Sequence, residues 1–403
     1  MSARTQMDGL PPPAVGALVV GGDYQGLGIV RSLGRQGIPI YVLDDEPSIA
    51  RFSRYTSRAL RVGDLRGEDA TVEEIVAAGE RFGLRGWVIF PTRDELVTAV
   101  SRARDRLANT FRVPTPDWRV AQYAIDKRLT YATAERIGVP VPQTWYPDSL
   151  DALETIEPAR WPLLLKPAIK QHFIYTTRVK GWIVRDRDEL RTRFGEAAAM
   201  RSPDEVMVQE MIPGNGQTQY AYCAFFKDGR AVGRMVVRRR RQYPTDLGRS
   251  STYVETVDMP ELAEPSDRFL REIDYYGLVE LEYKRDENGV FKLLDVNART
   301  WGYHSLGCAA GVDFPLMLYR DQLGLAVEPA EAKPGVSWIR LLTDAPSAVT
   351  EIARRHLTWR DYVGSLRGAD TEAVFSREDP RPAWAEVALL PHLIRTRTPS
   401  RTR

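Results

Sequence analysis

The sequence predicts a protein of mixed α/β and α+β class: a parallel α/β unit, then a larger strand-rich part, then a short extension. Three observations carry that prediction. Up to about residue 112, short apolar runs alternate with helical stretches, as parallel strands joined by helices do. From about residue 205 the pattern turns strand-rich. Residues 277–300, GLVELEYKRDENGVFKLLDVNART, form two alternating runs around Asn288-Gly289, the strongest short-range hairpin signal. At 403 residues the chain is also long for a single core, so two or three domains are expected.

The first unit opens with VVGGDYQGLGIVRSLGRQGIPIYVLDD, residues 19–45: a strand, a glycine-rich turn, a helix and a second strand. A dinucleotide fingerprint needs glycines at n, n+2 and n+5. Gly26 and Gly28 have the first spacing, but the n+5 position holds Arg31, and from Gly21 the n+2 position holds Asp23. A βαβ start is predicted, and bound NAD is not. Strands at 17–20, 40–43 and 87–90, with helices at 72–82 and 94–107, complete the unit. VPTPDW, residues 113–118, marks its boundary, because each proline turns its predecessor away from helix. A helix at 124–138 follows, closed by Gly138 and two prolines. Next come strands at 162–167 and 181–184, a helix at 188–200, strands at 205–212, 220–226 and 231–238, and a helix at 266–275 ahead of the hairpin. The tail has a strand, a helix and SREDPRPAW. It carries no functional signal and ends in RTRTPSRTR, a disordered basic end.

Composition narrows the partners. With 56 basic against 54 acidic residues the net charge is +2, which provides no global field for nucleic acid or an anionic membrane. No apolar run reaches the 18 or so residues of a membrane span, and MSARTQMDGLPPP lacks a signal peptide's apolar region, so a cytoplasmic location is expected. Cys223 and Cys308 lie far apart and read as buried thiols. Only eight residues are lysine, and Lys127, Lys166, Lys170 and Lys180 fall in one short segment. A chain that otherwise writes arginine has chosen a compact ammonium there.

The hairpin carries the chemistry. With Asn288-Gly289 at the tip, paired positions sum to 577, so Glu282 opposes Asp295 and Glu280 opposes Asn297; a four-residue loop would keep that sum and a three-residue loop would break it. Alternation puts these four and Lys284 on one face, with Val279, Leu281, Tyr283, Leu294 and Val296 behind. Carboxylates opposed across strands sit about 5 Å apart at Cβ and repel, so they require a cation or a shared proton. Two carboxylates and an amide suit Mg²⁺ or Mn²⁺, which complete their shells with water and phosphates. The bland alternative is a solvated face neutralised by Lys284 and nearby arginines.

The order Lys127 in DKRLTY, Lys166 in LLLKP, VQEMIPG, LEYK and LLDVNAR resembles the ATP-grasp superfamily of carboxylate–amine ligases. The similarity is to its predicted ATP-dependent carboligase and D-aspartate-ligase-like branch, related to biotin carboxylase, and runs from about residue 14 to 324. The resemblance implies a disordered start at 1–13, a Rossmann-like domain at 14–112, an ATP-grasp domain of two α+β subdomains at 113–325, and an extension at 326–403. It implies Glu282, Asp295 and Asn297 as ligands of Mg²⁺ or Mn²⁺, with Arg299 near the phosphates or acyl intermediate. Lys127 and Lys166 would hold ATP phosphates, Glu210 and Ile212 would meet adenine through backbone groups, and Gln217 the ribose. The loop at 168–182 departs from the usual glycine-rich lid; Lys170, His172, Thr176, Thr177 and Lys180 are its candidate donors, and Lys180 is assigned to ATP. His172 and His304 are expected as ordinary hydrogen-bonding residues.

Four consecutive arginines at 238–241 alternate on a strand, so one pair is expected in solvent and the other to hold an anion bidentately. Arg241 is assigned a catalytic role, and Ser251 and Thr252 in the following loop are assigned to the acceptor. Gly22 and Gly26, at a helix N-terminus that favours anions, are assigned to the carboxylate substrate. The implied reaction activates an acid as an acyl phosphate and joins it to an amine, releasing ADP and phosphate. Small-molecule acid and amine are the expected partners, with a homodimer allowed. An NAD(P)-dependent oxidoreductase, suggested by the glycine turn and Asp44, and a non-catalytic ATP-binding sensor are the alternatives.

Overall fold

The computed structural model describes residues 15–169, 181–200, 203–214, 216–245 and 250–397. Its N-terminal unit runs β1 (Ala17–Val20), α1 (Tyr24–Gly34), β2 (Ile40–Asp44), β3 (Arg58–Arg61), α2 (Glu68–Phe82), β4 (Val88–Pro91), α3 (Asp94–Arg102) and α4 (Arg104–Ala108). The sheet is parallel throughout, in the order β3-β2-β1-β4. β1 is buried along its whole length, as an apolar run between helix layers must be. β3 carries no apolar signal because RALR is an exposed edge. The single helix expected at 94–107 breaks at Ala103, whose φ of −96° and ψ of 16° close one helix and open the next.

The helix expected at 124–138 also divides. α5 (Trp118–Ile125) ends where Asp126 turns extended, and Asp126 then caps α6 (Lys127–Arg136) by accepting from the Arg128 amide at 2.9 Å. The break puts Lys127 on the first turn of α6, and its amide donates to the Ala168 carbonyl at 3.1 Å. A small antiparallel sheet follows: β5 (Thr144–Trp145), β6 (Leu163–Pro167), β7 (Trp182–Val184), α7 (Arg187–Met200) and β8 (Val206–Glu210), ordered β5-β8-β6-β7. Its own core of Leu163, Leu165, Val184, Leu190, Phe194 and Val208 joins α7 to the strands.

The large sheet begins with β9 (Gln219–Lys227), β10 (Arg230–Tyr243) and β11 (Ser250–Thr256). After α8 (Ala263–Glu272) come the hairpin strands β12 (Gly277–Arg285) and β13 (Phe291–Asn297), then α9 (Ser305–Ala310), α10 (Phe314–Gln322), β14 (Ala330–Glu331) and β15 (Ser337–Ile339). The extension adds α11 (Leu341–Ala353), α12 (Trp359–Arg367), β16 (Thr371–Glu372) and α13 (Arg381–Arg397). Strand order is β13-β12-β9-β10-β11-β15-β16, with β14 on β10. Alternation gives the sheet two faces. Tyr222, Ala224, Phe226, Val279, Leu281 and Tyr283 pack toward α8 and α5. Cys223, Phe225, Met235 and Val237 share a continuous core with α1, Trp301 and Phe314, so this face looks at the N-terminal unit. Helix α13 reaches Arg397, so the start of RTRTPSRTR is helical, and the rest of that run lies outside the described residues.

The hairpin departs from its predicted turn and still keeps the predicted pairs. The Asp286 amide donates to the Val290 carbonyl, which encloses three loop residues, with Gly289 at a φ of +85°. Near the tip Lys284 therefore faces Lys292, one position off the expected register. A β-bulge between Glu282 and Tyr283 restores it, so that Glu282 meets Asp295 and Glu280 meets Asn297. The cost falls on Leu294: Leu293 takes the buried place expected for it, and the Leu294 carbonyl accepts from the Tyr131 hydroxyl at 2.8 Å.

Candidate active site

The acidic face of the hairpin is neutralised by cations from far along the chain. Lys127 Nζ bonds Asp295, bringing α6 onto β13. Arg239 Nη2 lies 3.1 Å from Glu282 Oε2, bringing β10 across the same face. Each opposed carboxylate thus has its own counter-ion, as charges in a partly buried site require. Asn297 sits beside Glu282, its Nδ2 2.9 Å from Glu280 and 3.4 Å from Glu282. Its Oδ1 accepts from Arg299 Nη2 at 3.3 Å. Arg299 Nε is in turn held by Asp94 at the start of α3. The N-terminal unit therefore contributes a carboxylate that aims Arg299.

Two titrating groups on β12 feel this environment. Burial, then the charge of Glu282, pushes the Glu280 carboxyl up to about 8, against the pull of the Tyr303 hydroxyl. Burial, then Arg239, pushes the Lys284 ammonium down to about 8. Lys284 donates to the Gly214 carbonyl at 2.9 Å, and so pins the link between the small and large sheets.

On the small sheet, Lys166 is half-buried near the end of β6, opposite Met207. Gly181 lies against it: a Cβ there would come within 2.9 Å of the Lys166 Cβ, so only glycine permits the approach. Glu210 ends β8 and donates its amide to the Gln143 carbonyl at 2.9 Å. Its side chain accepts from the Gln143 amide at 3.0 Å and from Lys292 of β13. Ile212 follows, buried, and the Gln217 carbonyl accepts from Arg238 Nε at 2.9 Å. Lys127, Glu210, Glu282, Asp295, Asn297 and Arg299 are thus gathered along the hairpin. Lys180, Lys170, His172, Thr176 and Thr177 lie outside the described residues.

The remaining assignments fare differently. The division expected of the four arginines holds: Arg238 and Arg240 reach solvent, Arg239 and Arg241 are covered and paired with carboxylates, and bulges in the β10–β11 pairing lie beside them. Arg241 makes a bidentate pair with Asp344 of α11, both bonds 2.8 Å, between the rings of Tyr253 and Tyr362. It is thereby committed to the extension and not brought to the hairpin face. Ser251 and Thr252 are buried in β11; the Thr252 carbonyl accepts from the Arg340 amide, and its hydroxyl has no partner among the described residues. At the glycine turn, the Gly22 amide donates to Asp44 Oδ2 at 2.6 Å, and Asp23 caps α1. The chain's own carboxylates occupy the anion seat predicted for a substrate. A Cβ on Gly26 would lie 2.2 Å from the Gly21 carbonyl oxygen, so its bareness serves packing of α1 on the turn. His304 is buried, with Nε2 2.9 Å from the Gln25 carbonyl, in the ordinary role expected of it.

Sequence reasoning missed Asp94, Arg239, Lys292 and Arg340. Arg239 was visible as one of four alternating arginines, but its partner Glu282 lies 43 residues away and gives no local signal. Asp94 and Lys292 have no local signal, because their partners are 205 and 82 residues away.

Several known proteins are similar to this chain. Residues 202–342 match the family described as ATP-grasp in the biosynthetic pathway with Ter operon. D-aspartate ligase of Enterococcus faecium (strain Aus0004) is 24% identical over 223 residues, 53% of each chain. The chain thus spans about half the length of that curated relative. The biotin carboxylase domain dimer of Hydrogenobacter thermophilus 2-oxoglutarate carboxylase, solved with MgADP, ADP and bicarbonate, superposes with a TM-score of 0.64 at 18% identity, covering 80% of this chain and 73% of that one. L-amino acid ligase from Bacillus licheniformis gives 0.58 at 14% identity, covering 81% and 79%. With a parallel α/β unit ahead of a small antiparallel sheet and a large, mainly antiparallel one that meet along an acidic hairpin, the chain carries the ATP-grasp fold.

Proposed function

We propose that this chain is an ATP-dependent carboxylate–amine ligase that takes small, amino-acid-like substrates. The observation that carries the proposal is the hairpin face: Glu282 and Asp295 opposed across strands, each met by a cation, with Asn297 and Arg299 beside them. The named activities of the D-aspartate and L-amino acid ligases support it, as does the MgADP in the biotin carboxylase domain. Asp44 on the Gly22 amide argues against the dinucleotide alternative, since a pyrophosphate would meet a carboxylate there.

The donor set fits a hard divalent cation. Among the described residues no group of three or more His, Cys, Asp or Glu forms a metal cage. Glu282, Asp295 and Asn297 offer oxygen only, which suits Mg²⁺ or Mn²⁺ with water and phosphate filling the shell. When bound, the ion supplies neutralisation of phosphate charge. The chain's own residues do the rest. Lys127, Lys166 and Arg239 present positive charge to the nucleotide phosphates; Glu210, Ile212 and Gln217 line the strand exit proposed for adenine and ribose. An oxygen of the acid attacks the γ-phosphorus, the bond to the bridging oxygen breaks, and ADP leaves. Arg299, aimed by Asp94, faces the acyl phosphate; the amine then attacks the acyl carbon, phosphate departs and the amine's proton passes to solvent. Positioning and charge suffice, with no side-chain nucleophile.

We further propose the division at 14–112, 113–325 and 326–403, a cytoplasmic setting where ATP is abundant, and a second copy as partner, by likeness to the biotin carboxylase domain dimer. Among the described residues no helix is long and apolar enough to cross a membrane. The test is phosphate and ADP release across pairs of amino acids and hydroxy acids, with mass spectrometry of the product. Glu282→Ala and Asp295→Ala should each lower the rate at least a hundredfold; full Mg²⁺-dependent turnover in both would overturn the proposal.

A further inference from the structure

Strand β12 carries a third carboxylate that the proposed chemistry leaves unused. Glu280 is only 4% exposed, and stands opposite Asn297 two residues before Glu282. A buried acid beside another acid is unfavourable for folding unless its bonds do something else. Both of its oxygens are engaged: Oε1 accepts from the Tyr303 hydroxyl and Oε2 accepts from Asn297 Nδ2 at 2.9 Å. Tyr303 is itself buried, its hydroxyl 3.9 Å from Cys223 Sγ and its ring packed on Trp301 and Trp338.

The consequence falls on the amide of Asn297. Its two ends have nearly the same shape, and only the oxygen ligates a cation. The nitrogen faces Glu280 at 2.9 Å and Glu282 at 3.4 Å, which leaves the oxygen toward Arg299 Nη2 at 3.3 Å. A flipped amide would set oxygen against the Glu282 carboxylate and the Glu280 oxygen that accepts here, and nitrogen against a guanidinium. We propose that Glu280, braced by Tyr303, is a positioning residue that holds the Asn297 nitrogen and so presents the amide oxygen, the atom able to ligate a cation, beside Arg299. This rests on Glu282, Asp295 and Asn297 as the metal ligands.

The test uses the full chain with ADP and Mn²⁺, reading free Mn²⁺ by electron paramagnetic resonance, so that no turnover is needed. Glu280→Gln keeps an acceptor for Asn297 and a partner for Tyr303, and should hold Mn²⁺ affinity within about threefold. Glu280→Met, similar in volume but with no acceptor, should weaken it about tenfold or more, in the range found when a group that orients a metal ligand is lost. In an Asn297→Ala background the same change should have no further effect, since residues acting through one another are not additive. Tyr303→Phe, which keeps the core volume, should weaken binding in the same direction and serves if Glu280→Met does not fold. Unchanged affinity in Glu280→Met or Tyr303→Phe while Asp295→Ala loses binding would overturn the inference, as would losses that multiply in the double variant. Wild-type affinity in Asp295→Ala would instead overturn the metal assignment, and this inference with it.

Discussion

Arg241 and His304 show how burial decides a residue's role. Arg241 has the chemistry to hold a substrate carboxylate, but Asp344, fully buried on α11, has taken that place. Removing one member of a buried pair leaves the other uncompensated, so Asp344→Ala should cost about 3 to 5 kcal/mol in urea unfolding. It should leave nucleotide affinity unchanged, whereas Arg239→Ala should weaken it. His304 is held down at about 4 by burial, against an unfolded value of 6.5. Between those values the unfolded chain binds the extra proton, so stability is lost as pH falls from 6.5 toward 4, by on the order of 3 kcal/mol if unopposed. His304→Gln should flatten thermal melts over that window; an equally steep slope in the variant would assign the pH dependence elsewhere.

At the scale of elements, the hairpin and helix α1 both depend on where a glycine stands. Gly289 sits at a φ of +85°, and Gly289→Ala should cost about 1 kcal/mol while leaving the pairs at the hairpin base intact. The bulge near Glu282 absorbs the three-residue loop, which is why a wrong turn type and a right pairing coexist. Gly26→Ala is more severe. Its Cβ would lie 2.2 Å from a backbone oxygen that cannot rotate away, so α1 must lift from the turn, at about 1 to 3 kcal/mol or more. Calorimetry of the two variants should rank them in that order.

Across the whole molecule, the extension fastens parts that are distant in sequence. Asp379, fully buried, accepts from Arg31 Nε at 3.1 Å, the Ser53 hydroxyl at 2.7 Å and the Arg54 amide at 2.9 Å. Arg340 pairs with Glu386 of α13 at 3.1 Å and stacks over Tyr24 of α1. The tail that showed no motif is therefore a strap from the large sheet to the N-terminal unit. Asp379→Ala should cost about 3 to 5 kcal/mol and open the segment 374–380 to proteolysis, with Asp379→Asn milder because it keeps an acceptor for the Arg54 amide. Identical digestion of wild type and Asp379→Ala would show that the strap does not depend on this residue.

The sequence by itself determined the elements whose signals are local. Period-two alternation placed β12 and β13 and set Glu280, Glu282, Asp295 and Asn297 on one face; apolar runs placed β1, β2 and β4; the resemblance supplied the order of the lysines. Helix breaks at Ala103 and Asp126 were invisible, because helical propensity continues through both and only packing ends it. Alternation divided the four arginines into a covered pair and an exposed pair, but which carboxylate each covered arginine meets, Glu282 for Arg239 and Asp344 for Arg241, was decided by tertiary structure. The counter-ions of the site, the anchoring of Arg299 by Asp94 and the filling of the glycine turn by Asp44 were decided by tertiary structure alone. Charge pairing is a matter of distance in space, and a single sequence records only distance along the chain.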